Sequence, residues 1–463
     1  MPPSTSAPTR TEHDLLGTVE VPAEALYGAQ TTRALRNFPV DRDRPLGSYP
    51  TLVEGLLMIK QATALANRDA GLLDRVRADA IIAAAGSLLE ARRFDDFPIH
   101  RLHGGGGTSA NQNTNEVVAN VAEERLGGTR GQYRLVHPND HVNLHQSTND
   151  VVPTACHIAV VRAFPEAAHA ISGLADAFRA KGAALGGIRR IGRTCLMDAV
   201  DITFADLFGG YGAFLDRALR RVSDAVDALH AVNLGGTIVG RTCDVPASYF
   251  DGIMPALRAV TGDDRYVQAA NLFDATQNLD DMVAVSGALD LLARGLVKIA
   301  QDLRLMNTGP EAGLGEIRLP AVQPGSTCMP GKVNPVIPEF VIQLALQVAG
   351  CHAACQAAVD HGELDLNVWE SLVVSNVLDA MALLANASAT LQERSIAGLE
   401  ADAARNERHA DTIIPLLTRQ KARHSYSVIS DIAARAGGDL TKLRKLLKEH
   451  DEAAQRQDPD PAS

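Results

Sequence analysis

The chain has 463 residues, a formal net charge of −11 at pH 7, 46% hydrophobic residues and only 4% aromatic residues. That length buries a large core and predicts several domains, while the acidic balance excludes nucleic acid or an anionic membrane as a natural partner. No uninterrupted apolar run of about 18 or more residues occurs, so no membrane span is expected.

Residues 1–12 are Pro/Ser/Thr-rich without an apolar stretch, which predicts a disordered tail and not a signal peptide. Gly104-Gly105-Gly106-Gly107 precedes Thr108-Ser109. Such a run lets main-chain amides approach an anion, with Thr108 adding a hydroxyl, although alone it is more often a flexible loop. His137-Pro138-Asn139-Asp140 offers a histidine that composition alone admits as a base. Gln146-Ser147-Thr148-Asn149-Asp150 places two hydroxyls and a carboxamide just before a helix, where they also suit a cap.

Small and apolar residues then recur at helical spacing over 151–185, 204–232, 279–306, 335–359 and 367–391. With so much Ala and few aromatics, such helices pack closely as a bundle. A strand-like run covers 188–194, and the polar 451–463 segment predicts a frayed end. Six scattered cysteines in a long chain predict reduced thiols in a cytoplasm. Cys351, His352 and Cys355 sit in an Ala-rich helical run without a second ligand pair, so they read as core residues and no metal site is expected.

The segment 325–339 is the richest in chemistry. Gly325-Ser326-Thr327-Cys328 leads into a Pro330-Gly331-Lys332 turn, then Asn334-Pro335 before a helix. Asn334 suits an N-cap and Pro335 the first helical position. A hydroxyl, an ammonium and an amide would then gather at a positive helix end, an anion-binding arrangement.

Gly325-Ser326-Thr327-Cys328-Met329-Pro330-Gly331-Lys332-Val333-Asn334-Pro335 resembles the signature loop of the aspartase/fumarase superfamily, Gly-Ser-Ser-x-Met-Pro-x-Lys-x-Asn-Pro, departing only at Thr327. The likeness continues in Asp14-Leu15-Leu16-Gly17, Tyr27-Gly28-Ala29-Gln30-Thr31, the Gly104–Ser109 block with Asn115-Glu116, and Gly192-Arg193-Thr194-Cys195-Leu196-Met197-Asp198-Ala199. The resemblance implies a mainly α, three-domain fold. Its parts are a mixed N-terminal domain over 1–145, a central five-helix bundle over 146–403 and a small helical C-terminal domain over 404–463. The central helices of four chains would form a twenty-helix core, with each active site shared by three subunits of a homotetramer.

The implied reaction is β-elimination from a 2-substituted succinate, a small dicarboxylate, to give fumarate. Ser326 maps onto the general base, and Lys332 assists it. Serine is a poor base unless its pKa is depressed, which loop amides and the Lys332 charge would do. Lys332, Asn334 and Thr194 would hold one carboxylate, with Thr327 beside them in the loop. Ser147 would hold the other carboxylate, while Thr108, Thr148 and Asn149 face the leaving group. Cys195 would stand beside that group, Glu339 would be a supporting acid, and His137, Asn139 and Asp140 would form a secondary anion site. No cofactor is required on this resemblance, and activation by a divalent cation such as Mg2+ is left open.

The Thr108-Ser109, Asn115-Glu116 and Ser147-Thr148-Asn149 blocks look more like aspartases than fumarases, which favours a carbon–nitrogen lyase over the alternative, a fumarate hydratase. A non-catalytic structural relative is the third reading, disfavoured because Ser326, Lys332 and Asn334 are all present. Cys195, Met197, Gln112 and Asp206-Leu207 depart from the family pattern and leave the leaving amine open between ammonia and something larger.

Overall fold

The structure, a computed structural model, describes residues 8–40 and 43–457, and most of them are helical. The chain opens with an antiparallel hairpin, β1 (Thr9–Asp14) and β2 (Gly17–Pro22), followed by α1 (Ala29–Asn37), α2 (Pro50–Asp69), α3 (Arg75–Glu90) and α4 (Thr108–Arg125). The long helix α5 (Thr148–Ala184) leads to a second antiparallel hairpin, β3 (Arg189–Thr194) and β4 (Met197–Thr203), and to α6 (Phe204–Ala228). Next come β5 (Ala231–Val232), α7 (Ala247–Thr261), β6 (Val267–Gln268), α8 (Leu272–Gln277) and α9 (Asp280–Met306). The remainder is β7 (Ile317–Arg318), α10 (Val336–Val359), α11 (Glu370–Leu391), β8 (Glu400–Ala401), α12 (Ala403–Ala410), α13 (Ile413–Gln420), α14 (Tyr426–Ala436) and α15 (Leu440–Gln457). β5 pairs in parallel with β6, and β7 antiparallel with β8, so no sheet among the described residues exceeds two strands.

The five expected helical runs appear as α5, α6, α9, α10 and α11, with bounds shifted by a few residues. Small residues permit the close approach that composition suggested. A Cβ on Gly295 of α9 would fall 1.8 Å from the Phe214 ring of α6, so only glycine fits there.

The described residues near both chain ends are more ordered than expected. Thr9–Asp14 pairs with β2, and the Glu12 carboxylate, 2% exposed, accepts from the Ala29 amide at 2.9 Å. Residues 1–7 lie outside the described residues. At the other end, 451–457 continue α15, which anchors Leu443 and Leu447 against Leu417, Ile429 and Ile432. Exposed Lys445–Glu449 and Lys448–Glu452 pairs at i,i+4 spacing support that helix weakly. Residues 458–463 lie outside the described residues.

The chain forms two compact units. The first comprises Met1–His169, Ala218–Arg294 and Leu344–Asn386, and the second Ala170–Arg217, Gly295–Gln343 and Ala387–Ser463. In the first, α2 packs against α3 and α7, and α3 against α4. In the second, the β3–β4 hairpin packs against α12 and α13, and α14 against α15.

Counting uninterrupted apolar runs missed one property. By length and composition, α10 and the segment Glu370–Ile396 are apolar enough to cross a membrane, because isolated polar residues break the runs without lowering the average much. Over half of the second segment's apolar window is buried within the chain, but only 28% of that of α10.

Candidate active site

The predicted residues fall into three local sets. The first begins at α4, whose start is made by Gly105, Gly106 and Gly107 with φ of +89°, +55° and +82°, a left-handed stretch that needs glycine. Thr108 follows as the first helical residue, exposed, and its hydroxyl donates to the Gly105 carbonyl at 2.7 Å. One turn on, the buried Asn111 carboxamide donates to Thr148 Oγ1 at 3.2 Å, tying the start of α4 to the start of α5.

Ser147 stands just before α5, and its Oγ accepts from the Asn149 amide at 3.2 Å. The cap expected of this block is therefore made, and Thr148 and Asn149 remain half-buried beside it. Asn149 Nδ2 donates to the Ile238 carbonyl at 2.8 Å. Asp150 is fully buried and accepts from the amides of Ser147, Gly235 and Thr237 at 3.0–3.1 Å. Burial pushes its carboxyl up to about 6, against those three hydrogen bonds.

Beneath this block lies a group that sequence reasoning missed. Lys60 of α2 is completely buried, and its Nζ donates to Asn111 Oδ1 at 2.7 Å, Gln146 Oε1 at 2.8 Å and Asn143 Oδ1 at 3.1 Å. Three carboxamide oxygens match the three donors of an ammonium. Burial lowers Lys60 to about 7, with the Asp150 charge opposing. A signal existed: Lys60, Thr63 and Asn67 occupy one helical face of an otherwise apolar segment, and all three are buried.

The N-terminal motif serves the same helix. Glu116 of α4 accepts from the amides of Gly28, Gln30 and Thr31 at 2.8–3.1 Å and from the Thr31 hydroxyl at 2.6 Å. The Tyr27–Thr31 block thus docks the chain start onto α4.

The His137 turn has a local role. His137 Nδ1 accepts from the amides of Asn139 and Asp140, both at 3.2 Å, so these two amides are occupied by the imidazole. The side chains of Asn139 and Asp140 are exposed.

The second set is the β3–β4 hairpin. Thr194 pairs with Met197, and the two-residue turn Cys195-Leu196 has φ of 53° and 61°. Positive φ at both positions is the type I′ geometry that matches strand twist, normally built from Asn and Gly. Thr194, Cys195 and Leu196 are exposed at the tip.

The third set is the loop ahead of α10. Its neck is closed by the Gly325 amide donating to the Lys332 carbonyl at 2.8 Å and by Asn334 Nδ2 donating to the Gly325 carbonyl at 2.8 Å. Asn334 is therefore not the side-chain cap expected; one of its two Nδ2 hydrogens closes the neck instead. The Pro335 carbonyl accepts from the Glu339 amide at 3.3 Å, which makes Pro335 the residue preceding the first turn. Ser326 Oγ accepts from the amides of Cys328 at 3.2 Å and Met329 at 3.0 Å. Lys332 and Thr327 are exposed. Glu339 lies in the first turn of α10, 3.4 Å from Arg304. Lys332, Asn334 and Glu339 line an open groove of 890 Å3 with Arg304, Asn307 and Arg405. No hydrogen bond among the described residues joins the Thr194–Cys195 tip to the Ser326 loop.

Among the described residues, the only group of three metal-capable side chains with ligand atoms within 4.8 Å of one another is His424, His450 and Asp451. There, His424 Nε2 and Asp451 Oδ1 already lie 2.7 Å apart. None of these belongs to the predicted site.

Residues 17–350 match the model of a family described as Lyase. The chain is 41% identical to the aspartate ammonia-lyase of Pseudomonas fluorescens over 444 residues, covering 95% of this chain and 92% of that protein. It is 40% identical to a class II fumarate hydratase of Nitrosomonas europaea over 437 residues, 94% of each. A solved fumarate lyase:delta crystallin from Brucella melitensis, bound to cobalt, superposes with a TM-score of 0.91 at 40% identity, over 94% of this chain and 95% of that one.

Likeness of this extent defines the class as a lyase built on long helices. The chain belongs to the aspartase/fumarase superfamily.

Proposed function

We propose that the enzyme eliminates ammonia, or a substituted amine, from L-aspartate or an aspartate analogue to give fumarate, reversibly, with Ser326 as general base. The observation that carries the elimination is the pair of main-chain amides, Cys328 and Met329, aimed at Ser326 Oγ. Two such donors favour the alkoxide over the hydroxyl and so address the weakness of serine as a base. Lys332 supplies positive charge from the same loop. Proton abstraction next to a carboxylate, stabilisation of the resulting enolate-like anion and departure of the β-substituent then complete the reaction.

The choice of an amine rests on the Thr108-Ser109, Asn115-Glu116 and Ser147-Thr148-Asn149 blocks. Dehydration of malate is the second reading, favoured by the fumarate hydratase of nearly equal identity. Fumarate release from aspartate, N-substituted aspartates and malate, followed by ultraviolet absorbance, separates the two.

On this proposal Thr194, Asn334 and Lys332 hold one carboxylate and Ser147 the other. Thr108, Thr148, Asn149 and Cys195 surround the leaving group, Thr327 and Glu339 support the loop, and His137, Asn139 and Asp140 hold a second anion. Parts 1–145, 146–403 and 404–463 serve as the three domains. Four chains assemble around the central helices, which would cover the poorly buried α10, and three of them complete each site. The enzyme acts in the cytoplasm and requires no cofactor.

A further inference from the structure

The first unit contains a cavity of 270 Å3 bounded by residues of α5, α8, α9 and α11. Four carboxylates line it, those of Asp274, Asp280, Asp281 and Glu370, and neither lysine nor arginine does. Asp274, Asp280 and Asp281 are exposed at its rim. Burial and the neighbouring charges of Asp280 and Asp274 raise the Asp281 carboxyl above its ordinary value.

Glu370 is different from the rim. It is 2% exposed, and neither carboxylate oxygen has a hydrogen-bond partner. An acid at a helix start ordinarily binds the free amides of the first turn. At α11 the Trp369 amide instead donates to Asn367 Oδ1 at 3.1 Å, and the only amide acting on the Glu370 carboxyl is its own, too poorly placed to count as a hydrogen bond. Burial pushes Glu370 up to about 7. An unpaired buried carboxylate is costly, and a structure that keeps one requires a counter-charge or a proton.

One neutral ring of the lining accepts hydrogen bonds as well. His157 Nδ1 lies 3.1 and 3.2 Å from the carbonyls of Leu229 and Ala231, so Nδ1 carries the proton and Nε2 is a lone-pair acceptor. Burial lowers His157 to about 4, which keeps the ring neutral. The wall thus presents four carboxylates and a neutral imidazole, and no lysine or arginine to attract an anion. A single metal ion would need at least three ligand atoms close together, and among the described residues these side chains form no such group. The volume lies near the lower end for small-molecule sites, roughly 300–1,000 Å3.

We propose that this cavity binds a small aliphatic ammonium ion, its charged nitrogen donating to the Glu370 carboxylate. The inference holds whether the enzyme eliminates an amine or water.

The test is titration calorimetry on the full-length assembled protein with butylamine and 1,4-diaminobutane, using 1,4-butanediol as the uncharged control and Mg2+ as the metal probe. Both amines should bind and the diol should not. Glu370→Gln should weaken amine binding at least about tenfold, the scale of a lost charge-assisted hydrogen bond. Circular dichroism and elution volume should stay unchanged. Should Glu370→Gln fail to fold, Asp281→Asn at the rim carries the test through a smaller, salt-sensitive loss. The proposal is overturned if the wild-type protein binds neither amine at millimolar concentration, as when a second copy's side chain fills the cavity. It is equally overturned if the variant that folds binds amines as well as wild type, or if Mg2+ displaces them and binds more tightly.

Discussion

Asn334 Nδ2 donates to the Gly325 carbonyl at 2.8 Å, so the two ends of the loop that presents Ser326 are held by a side chain predicted to bind substrate. A Cβ on Gly325 would lie 2.7 Å from the Asn334 amide nitrogen and 2.8 Å from the Lys332 carbonyl oxygen, inside any normal contact. Gly325→Ala should therefore open the neck and displace Ser326. Turnover should fall about 100-fold, the usual consequence of misplacing a reacting group by about 1 Å, while circular dichroism stays unchanged. Steady-state fumarate formation checks it; a fall of less than about threefold would mean the neck geometry does not position the base.

Lys60 ties Asn111, Asn143 and Gln146 beneath the Ser147–Asn149 block. Lys60→Met should strand those carboxamides, destabilise the protein by about 2–4 kcal/mol and lower kcat/KM. The pH dependence has a definite sign. Burial lowers Lys60 to about 7, below the roughly 10.4 of an unfolded lysine. Between those values the unfolded state binds more protons, so this group's contribution makes stability rise as pH climbs from about 7 to about 10. Urea midpoints at fixed protein concentration should rise over that window more for wild type than for Lys60→Met. Equal slopes would show that Lys60 keeps an ordinary pKa.

Cys195 occupies a turn with positive φ and is fully presented at the hairpin tip. Its departure from the family pattern should govern the leaving group more than proton abstraction. Cys195→His should change the ratio of kcat/KM between aspartate and malate, or between aspartate and a bulkier amine, by roughly 5–150-fold, the value of about one buried hydrogen bond. An equal loss for all substrates would assign Cys195 to general site architecture.

Light scattering should give a mass near four chains. With only 28% of its apolar window buried within one chain, α10 leaves a surface that an isolated monomer would expose to water. A stable, active monomer would contradict both the assembly and the sharing of sites among subunits.

Much of the fold was legible because the long helices announce themselves. Small and apolar residues at helical spacing placed α5, α6, α9, α10 and α11, and the strand-like run at 188–194 is β3. The chain ends were harder, since Glu12 and the Tyr27–Thr31 block gain their order from partners far along the chain. Site residues with chemical labels, such as Ser326 and Thr148, could be named from motifs, but not the hydrogen bonds they would make. Asn334 read as a cap because its spacing to the helix is right; only the loop's return to Gly325 shows where its carboxamide goes. Lys60 and Glu370 escaped notice because a buried charge inside an apolar helix, or at its start, has no motif. Their meaning depends on what surrounds them.

The most direct measurement is the turnover of Ser326→Ala with aspartate and its analogues, alongside its affinity for a non-reacting dicarboxylate. The account predicts a loss of about 100-fold or more, the contribution of a general base, with dicarboxylate binding and assembly retained. A variant that kept more than about a tenth of wild-type turnover would show that Ser326 is not the base.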